Sequence, residues 1–313
     1  MIKDASTQPI IAAIEAGGTK FNCACMALDG TLIEQIRIPT TAPDETLPTV
    51  VSFYRQQLDK GNTLEAIGIG SFGPLDLNPS SNAFGAFRNT PKTPWQGINI
   101  LKEIESNFDA PVFIDTDVNA AAIAERRYGA ARGADNFCYV TVGTGIGVGV
   151  IMGGTLLAGT DHLEIGHMQI KRAPGDEFEG CCPFHSDCLE GLASGTAMKK
   201  RWNTPPHLLE ADHIGWTIEA DYLASLCMNL SLSFRPEMIV LGGGVFGHEG
   251  LLPRVREKFV EKLKGYISMG RGVAVEDYIR SAQLAHPPAG IMGAYLLAES
   301  GLKYGNQNDW PIV

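Results

Sequence analysis

Short apolar runs of strand length alternate with amphipathic stretches of helix length along nearly the whole chain. Residues 10–14 form one such apolar run, whereas residues 45–58 place Leu47, Val50 and Tyr54 on one helical face. Alternation of this kind predicts an α/β protein. The predicted strands are 10–14, 21–28, 31–38, 64–69, 111–114, 137–142, 238–241 and 279–284, and the predicted helices are 45–58, 98–107, 120–128, 193–202, 217–232, 252–263 and 290–300.

Two glycine-rich turns follow predicted strands, and a further strand rather than a helix follows each turn, so neither matches a Rossmann or P-loop arrangement. Backbone N–H groups at such a tip can approach a phosphate, and Thr19 and Lys20 would add a hydroxyl and a positive charge. For a single turn, a plain tight hairpin is the simpler explanation, but the pair indicates an internal duplication into two similar α/β halves. The turns consist of Gly17, Gly18, Thr19 and Lys20, and of Gly143, Thr144 and Gly145.

Other loops follow strand ends, where α/β proteins place ligands. Gly73 lies in the glycine- and proline-rich loop after strand 64–69. Asn89 and Thr90 lie in a second polar loop, where they either meet ligand hydroxyls or form part of a surface turn. A triple glycine after strand 238–241 either admits a flat ligand such as a nucleobase or forms a flexible tip. It consists of Gly242, Gly243 and Gly244.

A carboxylate between a strand and a helix is a candidate for acid–base chemistry. Asp117 lies between strand 111–114 and helix 120–128, a suitable place for a general base. Asp, Thr and Asn also cap helices, so one polar residue of segment 115–119 has a purely structural explanation. Both interpretations remain open on this segment alone.

The stretch 161–195 concentrates potential metal ligands, with three of the seven cysteines and three of the seven histidines. Its C-x2-H-x2-C spacing suits a tetrahedral zinc ion, with a histidine upstream as the fourth ligand. The alternative is that the cysteines are small buried apolar residues. Cys181 is a second thiol beside Cys182, and the spacing favours Cys182. The predicted ligands are His167, Cys182, His185 and Cys188, and the flanking carboxylates Glu164 and Glu190 would be presented to a polar ligand by a rigid loop.

Composition and charge narrow the class of function. The 313-residue chain carries a net charge of −10 and no basic cluster, which argues against binding to nucleic acid. Residues 1–10 contain no apolar run of the signal-peptide type, and no stretch is long and apolar enough to span a membrane. The odd number of cysteines, unevenly placed, indicates reduced thiols and predicts a cytoplasmic protein.

Taken in order, several segments resemble those of a known family. They are EAGGTK, SFGPLD, TPK, DTDVNAA, TVGTGIGVG, EIGH, CPFHSDCLEGLASG and VLGGGV. The series, from about residue 14 to about residue 297, is similar to the ROK family of sugar kinases and to its bacterial fructokinase branch. The resemblance implies an actin-like ATPase (ribonuclease H-like) fold with two α/β domains around a cleft, and a homodimer. The expected domains are 1–118 with 290–313, and 119–289.

The resemblance also implies a role for each matching residue. Asp117 resembles the base that takes a proton from the sugar hydroxyl, and the two glycine turns resemble the phosphate loops. The triple glycine matches the adenosine loop, and the C-x2-H-x2-C segment with His167 matches the zinc site. The positions expected to contact sugar are Gly73, Asn89, Thr90, Asn119, Glu164, His167 and Glu190.

Two features depart from the usual family pattern, and both resemble the fructokinase branch. Glu15 stands where an aspartate associated with Mg²⁺ is usual, and C-x2-H-x2-C replaces the usual zinc loop. The expected activity is ATP- and Mg²⁺-dependent phosphorylation of a hexose, D-fructose at its 6-hydroxyl, in a protein that also binds Zn²⁺. The alternatives are mannose, glucose or N-acetylmannosamine as the substrate, a non-catalytic sugar sensor, and a zinc-binding interaction module.

Overall fold

The structure, a computed structural model, describes residues 8–305, which form two compact units. Residues 1–7 and 306–313, and with them part of the polar start, lie outside the described range. Unit 1 contains residues 8–125, 158–162 and 284–305, and unit 2 contains residues 126–157 and 163–283. The domain boundaries expected from the sequence stay a prediction.

Unit 1 is built on a five-stranded sheet with the strand order β3-β2-β1-β4-β5. The first three strands are antiparallel neighbours, whereas β1–β4 and β4–β5 are parallel pairs. The central strand β1 is buried along most of its length and therefore reads as one apolar run, while the edge strand β3 is largely exposed. The strands are β1 Pro9–Ala16, β2 Lys20–Ala27, β3 Leu32–Pro39, β4 Thr63–Ser71 and β5 Val112–Thr116.

Helices cover this sheet and pack closely on it. The last helix lies so near β4 that a Cβ on Gly68 would come within 1.8 Å of the carbonyl oxygen of Ala294. Phe21, Tyr54 and Trp95 are among the largest fully buried side chains of the unit 1 core. The helices are α1 Pro43–Asp59, α2 Ile100–Glu105, α3 Asp117–Tyr128 and, at the end of the described chain, α9 Ala289–Tyr304.

Unit 2 repeats the same sheet topology. Its strand order is β10-β9-β6-β7-β8, with β6–β7 and β7–β8 antiparallel and with β6–β9 and β9–β10 parallel. Each sheet therefore consists of an antiparallel meander of three strands followed by two parallel strands, which agrees with the internal duplication inferred from the two glycine turns. The strands are β6 Phe137–Val142, β7 Ile146–Met152, β8 Thr155–Leu156, β9 Met238–Gly242 and β10 Ile279–Ser281.

An insertion distinguishes unit 2. In unit 1, β3 is followed almost directly by α1, whereas residues 157–214 separate β8 from the long helix α6. This segment contains the predicted metal stretch and two short helices. The helices that follow β8 are α4 Leu189–Ala193, α5 Gly195–Trp202, α6 Gly215–Phe234, α7 Leu251–Leu263 and α8 Val275–Tyr278.

The predicted α/β class is confirmed, and every predicted strand and helix is present, most of them with shifted ends. The helix predicted at 193–202 begins at Gly195, because Ser194 has extended backbone and its hydroxyl accepts the N–H of Ala197 as the N-cap of α5. The helix predicted at 98–107 is shorter, since Asn99 caps it by accepting the N–H of Lys102. Strand β8 and helices α4 and α8 were not predicted. Within residues 8–305, none of the helices is both long and apolar enough to cross a membrane.

Candidate active site

The first glycine turn joins β1 and β2 in unit 1. Gly17 donates its N–H to the carbonyl of Lys20 at 3.0 Å, and the hydroxyl of Thr40 donates to the carbonyl of Gly17 at 2.7 Å. A Cβ on Gly17 would lie 2.8 Å from the Lys20 carbonyl oxygen, so this turn requires glycine there. At Gly18 the nearest atom would be Cε of Lys92, at 3.4 Å. The turn is therefore tight on one side and lined by a lysine side chain on the other.

Glu15 is fixed beside this turn. Its carboxylate accepts a short hydrogen bond from the side-chain amide of Asn22, its cross-strand partner on β2. It also packs on the start of α9, where a Cβ on Gly290 would lie 2.3 Å from Oε1. The longer Glu side chain is accommodated here because residue 290 has no side chain.

The polar loops of unit 1 pair with each other. Leu75 and Phe87 form an antiparallel bridge, and Arg88 donates its N–H to the carbonyl of Pro74 at 2.8 Å. The segments that carry Gly73 and Asn89 are thus neighbours within unit 1. Asn89 is exposed, whereas Thr90 is 1% exposed.

The polar residues of segment 115–119 make different hydrogen bonds. The hydroxyl of Thr116 accepts the N–H of Asn119 at 3.2 Å, the bond that an N-cap makes. Asp115 accepts the side-chain amide of Asn119 at 2.7 Å; burial raises the pKa of Asp115, although this bond opposes the rise. Asp117, half-exposed at the first position of α3, accepts the N–H of Val118 at 2.8 Å. The capping explanation is met by Thr116, and Asp117 is left in the position suited to a base.

The second glycine turn joins β6 and β7 in unit 2. Gly143 donates its N–H to the carbonyl of Gly145 at 2.9 Å. The insertion braces this turn: the N–H of Gly195 donates to the Gly143 carbonyl at 2.7 Å, and the hydroxyl of Thr196 donates to the Thr144 carbonyl at 2.7 Å. A Cβ on Gly143 would have no atom within 4 Å, so the backbone there is accessible to a ligand.

Glu190 connects this turn to the metal stretch. Its Oε2 accepts the N–H of Ile146 at 2.9 Å, and a Cβ on Gly145 would lie 2.4 Å from the same oxygen. Its Oε1 lies 3.7 Å from Nε2 of His167. One carboxylate therefore contacts both the predicted phosphate turn and the predicted sugar-contacting histidine.

The triple glycine lies at the same sheet edge as the second turn. Gly242 pairs with Thr141, because β9 and β6 are parallel neighbours. Gly243 has φ +94° and approaches the backbone of Val142, and no side chain could occupy its Cβ position. Gly244 is exposed with no atom within 4 Å of its Cβ position. Gly143, directly after β6, and Gly244, just beyond β9, therefore lie at the ends of adjacent strands with open space beside them.

The four predicted metal ligands lie together in unit 2. Their ligand atoms are all within 4.8 Å of one another. Cys182 Sγ lies 3.6 Å from His167 Nδ1 and 3.9 Å from His185 Nδ1, and Cys188 Sγ lies 3.5 Å from His167 Nδ1. A tetrahedral zinc ion with typical bond lengths would place neighbouring sulfur and nitrogen ligands roughly 3.5 Å apart. The three separations above are near this value, and two cysteines with two histidines are a donor set that suits zinc.

The local backbone explains why Cys182 rather than Cys181 joins this cluster. Cys182 and Ser186 exchange two backbone hydrogen bonds, of 3.1 and 3.0 Å, which close a tight loop around the ligands. Cys181 instead donates its N–H to the carbonyl of Gly191 and is not among the clustered residues. Burial raises the pKa of the Cys188 thiol to about 11, so binding of a cation here would release a proton.

His167 presents its two ring nitrogens to different groups. Nδ1 faces the sulfur atoms, whereas Nε2 lies 3.7 Å from Glu190 and 4.0 Å from Glu164. The close approach of this turn to β7 depends on Gly166, since a Cβ there would lie 1.9 Å from the Ile146 carbonyl oxygen. The arrangement combines a predicted metal ligand with two carboxylates that can accept hydroxyl hydrogen bonds.

Sequence reasoning missed three contributors to these sites. The side chain of Lys92, in the polar loop that carries Asn89 and Thr90, lies against Gly18. The support that Asp115 gives to Asn119, and that Thr196 gives to the second turn, involves polar side chains without any periodic pattern. The only sequence signal was their position beside recognised motifs.

Comparison with known proteins decides the family. The sequence pattern described as "ROK family" matches residues 11–300. This chain belongs to the ROK family. The actin-like ATPase fold expected from the resemblance is therefore confirmed.

Among ROK relatives, a fructokinase from Pediococcus pentosaceus is 42% identical over 94% of this chain and 99% of its own length. A fructokinase from Zymomonas mobilis is also 42% identical, over 92% of this chain and 96% of its own length. The crystal structure of a ROK hexokinase from Thermus thermophilus aligns with a TM-score of 0.73 and 29% identity, covering 95% of this chain and all of that one. These ROK proteins are similar to this chain over nearly its whole length.

Proposed function

We propose that this protein is an ATP-dependent hexose kinase that phosphorylates D-fructose at its 6-hydroxyl. The observation that carries the proposal is the 42% identity, over nearly the whole chain, to fructokinases from two bacteria. The placement of Asp117 at the first turn of α3, after β5, supports the chemistry. Mannose, glucose and N-acetylmannosamine remain the alternative substrates.

Asp117 acts as the general base in this proposal. It lies at the first position of α3, where its Oδ1 accepts the N–H of Val118. The carboxylate accepts the proton of the 6-hydroxyl as that oxygen bonds to the γ-phosphorus of ATP. The bond from the γ-phosphorus to the bridging oxygen breaks, and ADP leaves. A base of this kind contributes about 10²- to 10⁴-fold to the rate.

Residues in both units bind the two substrates. In unit 1, Asn119 is held by Asp115 for a sugar hydroxyl, and Gly73, Asn89 and Thr90 supply the neighbouring loops. In unit 2, Glu164, His167 and Glu190 accept or donate hydroxyl hydrogen bonds. Phosphate groups bind backbone N–H groups of the two glycine turns, with Lys20 and Lys92 supplying positive charge, and the adenosine lies along Gly242 to Gly244.

Mg²⁺ would be held near the first turn by the carboxylate of Glu15, directly or through water. Oxygen ligands suit this ion, and when bound it neutralises charge on the transferring phosphoryl group. The fixed position of Glu15, between Asn22 and Gly290, supports this role.

Zn²⁺ would be held by His167, Cys182, His185 and Cys188, and the clustering of their ligand atoms within 4.8 Å supports this assignment. When bound, it would fix the loop that carries Glu190. We expect gently purified protein to contain about one zinc per chain by elemental analysis, in line with a closed four-ligand site. Protein that is folded and active with ATP and Mg²⁺ but contains no zinc would contradict this assignment.

The function is tested by measuring ADP release with ATP and Mg²⁺ and with fructose, mannose, glucose or N-acetylmannosamine. We expect the highest kcat/KM with fructose, and NMR of the product should place the phosphate on carbon 6. A higher value with another sugar would move the assignment to that sugar. Sugar-dependent stabilisation against melting without any ADP release would support a non-catalytic sensor instead. A homodimer, a cleft between two domains and a cytoplasmic location are further predictions of the same proposal.

A further inference from the structure

The dipeptide Asp161–His162 has no part in the activity described so far. Residues 126–157 and 163–283 belong to unit 2, but the intervening residues 158–162 belong to unit 1. This short segment has no helix or strand. Its Asp161 and His162 side chains contact other segments of unit 1.

Asp161 connects two loops of unit 1. Its Oδ1 accepts the N–H of Leu77 at 3.2 Å, and its Oδ2 lies 2.7 Å from Nη2 of Arg88. The same guanidinium nitrogen lies 3.3 Å from Asp76. The side chains of Asp161 and Asp76 are only 20% and 10% exposed. A shared guanidinium between two largely buried carboxylates is more ordered than an isolated surface ion pair.

His162 contacts the same loop two residues earlier. Its Nε2 accepts the N–H of Leu75 at 3.1 Å, so this nitrogen carries no proton and the ring proton is on Nδ1. Leu75 is fully buried, and its N–H would lose its partner without this imidazole.

These contacts converge on the segments to which sugar contacts are assigned. Leu75 and Leu77 follow Gly73, and Arg88 precedes Asn89. We propose that Asp161 and His162 are positioning residues for the hexose, which hold these two segments in the geometry that binds it. This inference rests on the proposed function, since it concerns the same sugar site.

Variants at position 161 separate the ion pair from the backbone contact. Asp161→Asn keeps an acceptor for the Leu77 N–H and removes the charge, whereas Asp161→Ala removes both. We expect the fructose KM to rise about threefold in D161N and about tenfold in D161A, as for the loss of one or two hydrogen bonds. The kcat and the KM for ATP should stay within about twofold of wild type. A KM for ATP that rises as much as that for fructose would overturn the proposal.

Variants at position 162 test whether the imidazole acts through the loop. In His162→Gln the amide oxygen can still accept the Leu75 N–H, whereas in His162→Ala it cannot. We expect H162Q to retain nearly the wild-type KM for fructose and H162A to raise it about tenfold. If H162Q were as impaired as H162A while equally stable to melting, the imidazole would contact the substrate itself and the positioning role would be wrong.

A measurement without any substrate distinguishes this inference from the proposed function. Hydrogen–deuterium exchange of peptides covering residues 71–92 should be about tenfold faster in D161A and H162A than in wild type. Arg55→Ala is the matched control, because it removes an exposed contact of the same unit, to Asn107 at 3.0 Å. Unchanged exchange in both variants would overturn the positioning role. Faster exchange in a protein that turns over no sugar would refute the proposed function but not this role.

Discussion

The two sheets share one topology, but their glycine turns are held in different ways. In unit 1 the turn is closed by its own backbone and by Thr40, just beyond the end of β3. In unit 2 the turn is braced by Gly195, Thr196 and Glu190, all from the insertion between β8 and α6. The repeated framework thus supports one turn locally and the other through a distant segment.

This difference teaches where the second turn is sensitive to change. The predicted metal ligand Cys188 immediately precedes α4, and α4 carries Glu190, whose carboxylate reaches both Ile146 and His167. Disturbance of the metal cluster should therefore be felt at the second glycine turn as well as at the sugar-contacting residues. Among the described residues, those that hold the first turn are not connected to the metal cluster in this way.

Loss of Glu190 should have the largest effect among variants that test this difference. Glu190→Ala leaves the Ile146 N–H unpaired and removes a carboxylate beside His167. We expect the KM values for fructose and ATP to rise together, with a total loss of about 10- to 100-fold in kcat/KM, as for a charged hydrogen bond. Steady-state kinetics with each substrate varied would measure this.

Glu164→Ala is the matched control for that experiment, since Glu164 approaches the same imidazole at 4.0 Å. It should raise the KM for fructose alone. An unchanged KM for ATP in E190A would show that the insertion does not support the second turn.

Glycine substitutions compare the two turns position by position. Gly17→Ala places a Cβ 2.8 Å from the backbone carbonyl oxygen of Lys20 and should lower the free energy of unfolding by about 1–3 kcal/mol. Gly145→Ala places a Cβ 2.4 Å from the carboxylate of Glu190, a side chain that can shift, and should lower the free energy of unfolding by less. Gly18→Ala and Gly143→Ala meet only Lys92 or open space and should leave stability unchanged. The second pair should raise the KM for ATP, because the added methyl group occupies space assigned to phosphate. Urea titration would test the expected stabilities, and steady-state kinetics would test the expected KM for ATP. A destabilised G143A would contradict this description of the turn.

Helices α1 and α6 differ in how their buried polar side chains are satisfied. Changes to these side chains should have the smallest effect on activity. The hydroxyl of Tyr54 on α1 donates to the Ala13 carbonyl at 2.9 Å. By contrast, Glu219 on α6 is fully buried, and neither carboxylate oxygen has a hydrogen-bond partner among the described residues. Burial raises the pKa of Glu219 well above its ordinary value, and Arg201 only partly opposes this.

The sign of the resulting pH dependence follows from the raised pKa of Glu219. Above its ordinary pKa the unfolded chain releases a proton that the folded protein retains, so stability falls as pH rises toward the folded-state pKa, by at most about 1.4 kcal/mol per pH unit. Glu219→Gln removes this term. Urea titrations at pH 5 and 7 should show E219Q gaining stability relative to wild type at the higher pH, with kcat unchanged. A constant difference between the two pH values would mean that Glu219 is ionised in the folded protein.

The sequence predicted those features that depend on local pattern. Apolar runs and the glycine turns located the strands of both sheets except the two-residue β8. The C-x2-H-x2-C spacing identified the clustered residues, because one loop supplies three of them. The bridging role of Glu190 and the pairing of Asp161 with Arg88 depend on how distant loops meet, which leaves no periodic trace in the sequence. Helix α4 was missed because its five residues are too few to establish a helical period.

The duplication also places the proposed base in one unit only. Asp117 follows β5, whereas the counterpart segment after β10, residues 282–285, contains no carboxylate.

Comparing fructose binding with ADP release in Asp117→Asn is the most direct test of the proposed chemistry. We expect fructose affinity, measured by calorimetry, to stay within about threefold of wild type while kcat falls about 10²- to 10⁴-fold. ADP release near the wild-type rate would contradict the assignment of Asp117 as the base.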